Sequence, residues 1–140
     1  MARIFSSGGF IAALLGGIFA VNLLATVFGW YLTVPGVDKP LHFLGGAWVV
    51  CVFLYAARRH PNFFPLRGHP LATVLFTLGL AALTGVLWEF FEFGFDEVFA
   101  LHNTFPRAQL GLTDSMGDLF YDLFGAAMTV FLYFKTRDSA

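Results

Sequence analysis

The stretch GGFIAALLGGIFAVNLLATVFGWY, residues 8–31, decides the class of protein to which this chain belongs. Asn22 is its only strongly polar side chain, and about 20 mostly apolar residues are enough for a helix to cross the hydrocarbon core of a bilayer. The stretch is also longer than the apolar core of a secretory signal peptide, which spans roughly 7–15 residues. We therefore interpret it as a retained transmembrane span.

The composition of the whole chain supports a membrane protein. Of its 140 residues, 58% are hydrophobic and 12% are charged, whereas a soluble domain has about 25% charged residues. The net charge of −1 leaves no basic surface for nucleic acid, so we exclude nucleic acid as a partner. The single cysteine, Cys51, excludes a disulfide framework.

Three further apolar stretches follow the first one. They cover about residues 41–57, 71–95 and 114–134, and breaks rich in proline and glycine separate them. The sequence therefore predicts an all-α fold, a polytopic membrane protein that forms a four-transmembrane-helix bundle, with residues 1–140 as a single domain. Whether residues 97–113 form an interfacial or re-entrant segment between the third and fourth helices stays open.

Small residues within these stretches predict close packing between helices. In a membrane, paired or regularly spaced small residues let two helix backbones approach each other. Such residues occur at Gly16-Gly17, at Gly45-Gly46 and at Ala81-xxx-Gly85.

Basic residues are distributed unevenly between the two ends of the predicted bundle. Lys39 and Arg107 lie at one end. The others lie at the opposite end: Arg3, Arg58, Arg59, Arg67, Lys135 and Arg137. Because Lys and Arg accumulate in short cytoplasmic loops, we expect a protein of the bacterial inner (plasma) membrane with both termini in the cytoplasm. The end with few basic residues would then face the periplasm or the exterior.

Nearly all of the carboxylates fall at that outward end. They are Asp38, Glu89, Glu92, Asp96, Glu97, Asp114, Asp118 and Asp122. Residues three or four apart share a helix face, and this spacing places His42 on the face of Asp38. The same spacing places Glu89, Glu92 and Asp96 on one face of the third predicted helix. It also aligns Asp114, Asp118 and Asp122 on the fourth. Ionisable groups inside a membrane are expensive and mark candidate functional sites.

Some of these acids have simple structural explanations. Asp38 precedes a lysine and a proline and is expected to cap the second helix. Asp114 and Asp118 favour the start of the fourth helix through capping and the helix dipole. Asp96 and Glu97 suit a solvated end of the third helix.

Glu89 and Asp122 do not have such an explanation. Glu89 lies almost two turns deeper than the solvated end of its helix, and Asp122 lies about 12 Å beyond Asp114 along the fourth helix. Burying the Asp122 carboxylate without a partner would cost several kcal/mol. Asp122 must therefore be protonated, bound to a hydrogen-bond donor or shared with a cation.

So many acids cannot all stay ionised with so few positive charges nearby. Either several of them are protonated or divalent cations occupy the site. Carboxylate oxygens with one imidazole suit Mg²⁺, Mn²⁺, Ca²⁺ or Zn²⁺, and the sequence does not distinguish these metals. We expect the metal ligands among Asp38, His42, Glu89, Glu92, Asp96, Asp114, Asp118 and Asp122. The residues expected to have catalytic roles are His42, Glu89 and Asp118.

These motifs together resemble a known group of proteins. The motifs are Asp38-Lys39-xx-His42, Trp88-Glu89-xx-Glu92 and Gln109-xxxx-Asp114-xxx-Asp118-xxx-Asp122-xx-Gly125. The chain resembles the VanZ-like and YjdF-like families of small bacterial inner-membrane proteins over roughly residues 38–126. The resemblance implies a multi-helix fold with a polar site built from these positions, and a role near envelope lipids or cell-wall precursors. It does not supply a reaction.

Three functions are consistent with this sequence. The first is a metal-dependent hydrolase or transferase that acts on a membrane lipid or a lipid-linked envelope substrate, with the metal activating water or polarising an oxygen. The second is a proton- or cation-coupled transporter, because chains of acids mark such routes in membranes. The third is a non-catalytic accessory subunit of a membrane complex. Whether the protein is an enzyme, and whether it forms an oligomer, stays open.

Overall fold

The computed structural model describes residues 4–64, 68–99 and 107–138, and these residues form helices joined by short turns. The helices are α1 (Gly8–Val27), α2 (Trp30–Thr33), α3 (Lys39–Arg59), α4 (Pro70–Phe99) and α5 (Leu112–Asp138). No strand occurs among the residues described, so the predicted all-α class is confirmed. Arg3 and Arg67, used above to infer orientation, and residues 100–106 lie outside the described residues.

Three of the described helices are long and apolar enough to cross a membrane: α1, α3 and α4. The first is shorter than the predicted span over residues 8–31, because Gly29 takes a positive φ of 66° and separates α1 from the single turn of α2. The fourth predicted span lies in α5, which has 27 residues but carries three aspartates in its first half. Helix α5 is not among the three spans that length and apolarity alone identify.

Helix α3 is the centre of the fold. It packs against α1, α4 and α5, and its contact with α5 is the most extensive in the described part of the chain. The buried core lies between α3, α4 and α5 and consists of Val49, Val50, Leu54, Ala81, Ala126 and Val130. Together these three helices enclose the interior of the protein.

Helix α1 lies outside this core. Apart from the neighbouring α2, the only described helix that it contacts is α3, and Ala25 is its only buried residue. The indole Nε1 of Trp48 donates a hydrogen bond to the Ile11 carbonyl at 3.1 Å, and Arg58 donates to Ser6 Oγ at 3.3 Å. The remaining surface of α1 is apolar and exposed, which suits contact with lipid.

Helices α3 and α5 approach each other at backbone distance. A methyl group added at Gly46 would lie 1.9 Å from the Asp122 carbonyl oxygen, and one added at Gly125 would lie 1.9 Å from the Phe43 carbonyl oxygen. The contact is therefore reciprocal, with one glycine from each helix against the backbone of the other. Its position brings the first turns of α3 against the first half of α5, where the acids lie.

The predicted approach of two helix backbones is confirmed at Gly46, whereas Gly85 makes room for side chains of α5. Gly46 touches the backbone of α5, and a methyl group at Gly85 of α4 would lie 2.6 Å from a carboxylate oxygen of Asp122. The prediction is wrong within the chain for Gly16 and Gly17, where an added methyl group meets nothing within 4 Å. Both lie on α1, which packs only at the edge of the bundle.

Candidate functional site

The predicted polar residues converge at one end of the bundle. This end holds the starts of α3 and α5 and the last turns of α4. Arg58 and Arg59 end α3, and Lys135 and Arg137 occupy the last turn of α5, so these basic residues lie at the opposite end. The described helices thus separate an acidic end from a basic end.

Lys39 forms the first of two groups at the acidic end. Its ammonium nitrogen lies 2.6 Å from Asp114 Oδ1, 2.7 Å from Asp118 Oδ1 and 3.7 Å from Asp38 Oδ1. Asp38 occupies the N-cap position of α3, as predicted, but its side chain makes no capping hydrogen bond. These three carboxylates therefore surround an ammonium group that the chain itself provides.

His42 lies next to this group and has an aspartate near each ring nitrogen. Its Nδ1 is 3.3 Å from Asp122 Oδ2 and its Nε2 is 3.5 Å from Asp118 Oδ1. His42 is 8% exposed and Asp122 is 6% exposed. Of the three states predicted for Asp122, protonated, bound to a donor or shared with a cation, the contact with His42 of α3 supports a bound donor.

Glycines make room for the Asp122 carboxylate between the helices. A methyl group added at Gly85 would lie 2.6 Å from Oδ2, and one added at Gly45 would lie 3.6 Å from Oδ1. Because neither position carries a side chain, the carboxylate fits between α3 and α4 and reaches His42.

Glu89 and Glu92 of α4 form the second group together with His42. Each of the three residues offers one ligand atom, and these atoms all lie within 4.8 Å of one another. Glu89 is 7% exposed, and its Oε1 has no hydrogen-bond partner among the described residues. Glu92 is half-buried, and its Oε1 accepts a hydrogen bond from Trp88 Nε1 at 2.9 Å.

Asp96, one turn further along α4, has a different environment. Its two carboxylate oxygens accept hydrogen bonds from the backbone N–H groups of Ala108, at 2.8 Å, and Gln109, at 3.0 Å. The carboxylate therefore holds the segment that precedes α5 against the end of α4. Glu97 is exposed.

The residues predicted as metal ligands thus have four distinct environments. His42, Glu89 and Glu92 come together as a possible ligand set. Asp38, Asp114 and Asp118 surround the Lys39 ammonium, Asp122 contacts His42, and Asp96 binds backbone N–H groups. Their assignment as metal ligands and the catalytic roles of His42, Glu89 and Asp118 stay predictions.

Gln109 is a site residue whose role the sequence reasoning missed. Its side-chain Nε2 donates to Glu89 Oε2 at 3.2 Å and to Ser115 Oγ at 3.1 Å. It is the only glutamine in the chain, and it lies in a segment without helical spacing. No periodic signal could have connected it with a residue 20 positions earlier.

Tyr31 of α2 is a second polar neighbour of the acidic end that the sequence analysis did not identify as a site residue. Its hydroxyl donates a hydrogen bond to the side-chain oxygen of Asn22. Partial burial, together with the negative charges of Asp38 and Glu92, raises the pKa of the Tyr31 phenol above its ordinary value. The phenol therefore stays protonated well into the alkaline range.

A cleft of about 310 Å³ opens beside Glu89. It is lined by Phe93, Asp96, Glu97, Arg107, Gln109, Leu110 and Gly111. Gln109 both lines this cleft and donates to Glu89, so it connects the cleft with the buried carboxylate. Arg107 is the only cation in the lining.

Residues 7–139 match the family described as "Predicted membrane protein (DUF2238)". The chain belongs to this family. A DUF2238 assignment supports a small membrane protein, and the more specific VanZ-like or YjdF-like resemblance stays a prediction.

One relative of this DUF2238 protein comes from Thermotoga maritima. It is described as an uncharacterized protein and is 33% identical over 120 residues, which cover 86% of this chain and 54% of the relative. The chain thus spans about half the length of that relative. No solved structure matches the chain.

Proposed function

We propose that this DUF2238 protein binds one divalent metal ion through His42, Glu89 and Glu92 at the outward end of a four-span bundle. The fourth span is α5, and both termini lie in the cytoplasm of a bacterial cell. The site acts hydrolytically or by group transfer on a lipid or lipid-linked envelope substrate. This function would also suit the resemblance to VanZ-like and YjdF-like proteins.

The buried carboxylate of Glu89 is the observation that carries the proposal. One of its oxygens accepts from Gln109, and the other has no partner among the described residues. A buried, ionised oxygen without a partner is costly, and a metal ion would supply the missing interaction. Ligand atoms from His42 and Glu92 lie within 4.8 Å, as a metal site requires.

The surroundings of His42 also suit a metal ligand. A metal-bound histidine usually donates its second ring N–H to a carboxylate, which fixes the orientation of the ring. Asp122 Oδ2, 3.3 Å from Nδ1, is such a carboxylate, and this arrangement leaves Nε2 for the metal. Asp122 would then support the site without binding the metal.

Lys39 argues for one metal ion rather than two. The group formed by Asp38, Asp114 and Asp118 has the spacing of a metal site, but the Lys39 ammonium lies among these carboxylates. A divalent cation there would have to displace an amine held at 2.6 and 2.7 Å from two aspartates. We therefore assign Asp114 and Asp118 to Lys39.

The ligand chemistry suits activation of water. A divalent metal held by imidazole and carboxylates polarises a phosphoryl or carbonyl oxygen and lowers the pKa of a bound water. Asp118, whose Oδ1 lies 3.5 Å from His42 Nε2, is the candidate proton acceptor. The proton would then pass from Asp118 to the leaving group of the substrate, because the Lys39 ammonium already carries its proton and can only stabilise the charged aspartate.

The surroundings of the site favour an amphipathic substrate. Trp88, Phe90, Phe91 and Phe93 are exposed on α4 next to the two glutamates. Exposed aromatic side chains suit the lipid tails and the membrane interface. The cleft beside Gln109 carries Arg107, which can bind a phosphate or carboxylate head group. A polar head in the cleft and tails against the aromatic surface would bring a lipid to the metal.

A transport pathway receives less support from the structure. Thr73 and Thr77 are buried in the half of α4 that lies away from the acids, where Thr73 donates to the His69 carbonyl just before the helix and Thr77 donates to the Thr73 carbonyl. Within the described ranges, no carboxylate, histidine, lysine or arginine is buried in that half of the bundle, and Cys51 is its one buried thiol. The acidic end thus resembles a pocket closed on one side, as a site for a lipid would be.

Metal content tests the proposal directly. The protein is purified in nanodiscs and dialysed against buffer that contains trace divalent metals. We expect inductively coupled plasma mass spectrometry to find about one metal ion per chain. Glu89→Gln and His42→Gln should each lose it. Glu97→Gln and His60→Gln make the same substitutions at exposed positions and should retain it. A wild-type protein without metal, or equal metal content in Glu89→Gln, would overturn the proposal.

Activity is the second step of the test. Metal-loaded protein is incubated with phospholipid vesicles, and ³¹P NMR follows the release of phosphate or head group. Turnover that disappears in His42→Gln but not in His60→Gln, at an exposed position, supports the enzyme. A bound metal without turnover on lipid substrates would instead favour an accessory subunit with a structural ion.

A further inference from the structure

Gln109 connects three parts of the acidic end. Its side-chain amide donates to Glu89 Oε2 of α4 at 3.2 Å and to Ser115 Oγ in the first turn of α5 at 3.1 Å. Its backbone N–H donates to Asp96 Oδ2 at 3.0 Å. The backbone N–H of Gln109 thus donates to Asp96 and its side-chain amide donates to Glu89, so this one residue binds two carboxylates of α4.

Asp96 determines where Gln109 can lie. Besides the Gln109 N–H, it accepts the N–H of Ala108 at 2.8 Å, so two consecutive backbone groups are held by one carboxylate. A backbone fixed at two points leaves the Gln109 side chain few positions. The amide then reaches about two turns back along α4, from Asp96 to Glu89, a residue that is nearly fully buried.

We propose that Gln109 is a positioning residue for Glu89. By donating to Oε2, its amide fixes the carboxylate and leaves Oε1 as the oxygen available to the metal. The inference rests on the proposed metal site and adds a residue that does not itself bind the ion. Supporting hydrogen bonds of this kind orient metal ligands and influence metal affinity.

A simpler role would be structural. Gln109 could merely tie the segment before α5 to α4, in which case its loss would lower stability and leave the metal site unchanged. The two roles differ in what they predict for Glu89. A positioning role has two requirements. Removing the Glu89 carboxylate must change the environment of the Gln109 amide, and removing the amide must weaken the binding of the metal.

The composition makes the first requirement measurable. Because the chain has a single glutamine, labelling with ¹⁵N-glutamine gives one side-chain NH₂ signal in an NMR spectrum. Without metal, Glu89→Ala should shift this signal, whereas Thr84→Ala, at an exposed position of the same helix further from the acidic end, should not. A signal unchanged by Glu89→Ala would overturn the inference.

The second requirement is tested with Mn²⁺, whose free concentration is followed by electron paramagnetic resonance. Gln109→Met keeps the length of the side chain and removes the donor, and it should weaken Mn²⁺ binding by about 10–100-fold. Leu112→Met changes an exposed residue that lies outside the cleft lining, and it should bind like the wild type. Circular dichroism and thermal unfolding verify that both variants are folded.

The outcomes separate this inference from the proposed function. If the wild type binds no Mn²⁺ or other divalent ion, the proposed metal site is refuted. If the wild type binds Mn²⁺ and Gln109→Met binds it equally well, the metal site stands and the positioning role of Gln109 is refuted. Weaker binding by Gln109→Met, with the shift in Glu89→Ala, supports both.

Discussion

Replacing Gly46 by alanine tests the contact on which the whole acidic end depends. The added methyl group would lie 1.9 Å from the carbonyl oxygen of Asp122 and 2.7 Å from its carbonyl carbon. Ordinary contact begins at 3.4 Å, so the group is too close by about 1.5 Å. Backbone atoms oppose it, and no rotation of a side chain can relieve the overlap.

Helices α3 and α5 must therefore move apart to accept the methyl group. Overpacking in a dense interior typically costs about 1–3 kcal/mol, and we expect Gly46→Ala to lie at the upper end of that range, because the backbone itself has to shift. Along this interface the core residues Val50, Ala126 and Val130 would lose contact as well. The expected loss of unfolding free energy is about 3 kcal/mol.

The matched control is Gly17→Ala on α1. A methyl group there meets nothing within 4 Å, and replacing glycine by alanine in an exposed helix favours the helix by up to about 1 kcal/mol. The same substitution is thus expected to have opposite signs on α1 and α3. Reversible unfolding in mixed micelles, followed by circular dichroism, measures both variants.

A double variant tests whether the separation of α3 from α5 causes the loss of stability. Gly125→Ala places a methyl group 1.9 Å from the Phe43 carbonyl, and the same separation of α3 from α5 relieves both overlaps. The two substitutions together should therefore cost less than the sum of each alone. An unfolding free energy of Gly46→Ala within about 0.5 kcal/mol of the wild type would refute the backbone contact, as would fully additive costs.

Three further predictions concern charge and orientation. Lys39→Met leaves the buried Asp118 without its ammonium partner and should lower the free energy of unfolding by about 3–5 kcal/mol. Adding Asp118→Asn to this variant should recover part of the lost stability. No recovery in the double variant would contradict the ion pair. Because burial and nearby carboxylates raise the pKa of Tyr31, its contribution to stability is complete below about pH 10 and is lost as the pH rises through the higher pKa of the folded state. Unfolding measured from pH 8 to 11 should show this loss in the wild type and less of it in Tyr31→Phe, and identical profiles would refute it. For orientation, an impermeant maleimide should label His60→Cys only from the cytoplasmic side and Glu97→Cys only from outside, since the native cysteine is buried; the reverse pattern would refute the proposed topology.

Helical periodicity explains why much of the fold could be predicted. Apolar stretches of sufficient length indicated helices at the positions where α1, α3, α4 and α5 occur. The prediction extended the first helix too far, because Gly29 adopts a positive φ that ends α1 at Val27. The sequence predicts four spans, whereas length and apolarity identify three of the described helices, since the aspartates of α5 offset its apolar residues.

Periodicity also identified the faces on which the candidate site lies. Steps of three and four residues placed Glu89 and Glu92 on one face of α4 and aligned the aspartates of α5. Burial confirms that Glu89 and Asp122 face the interior, as their depth in apolar stretches required. Spacing along one helix, however, says nothing about which helix lies opposite.

Only the tertiary structure decided which partner each acid has. Lys39 pairs with Asp114 and Asp118, more than 70 residues away in the chain, and Asp96 binds a backbone segment that sequence patterns could not connect with it. These pairings depend on the register between α3, α4 and α5, which the glycine contacts determine. The sequence by itself determined a membrane-embedded helical protein with acids at one end. The register, a property of packed backbones, separated those acids into an ion-pair group around Lys39 and a candidate metal site around Glu89.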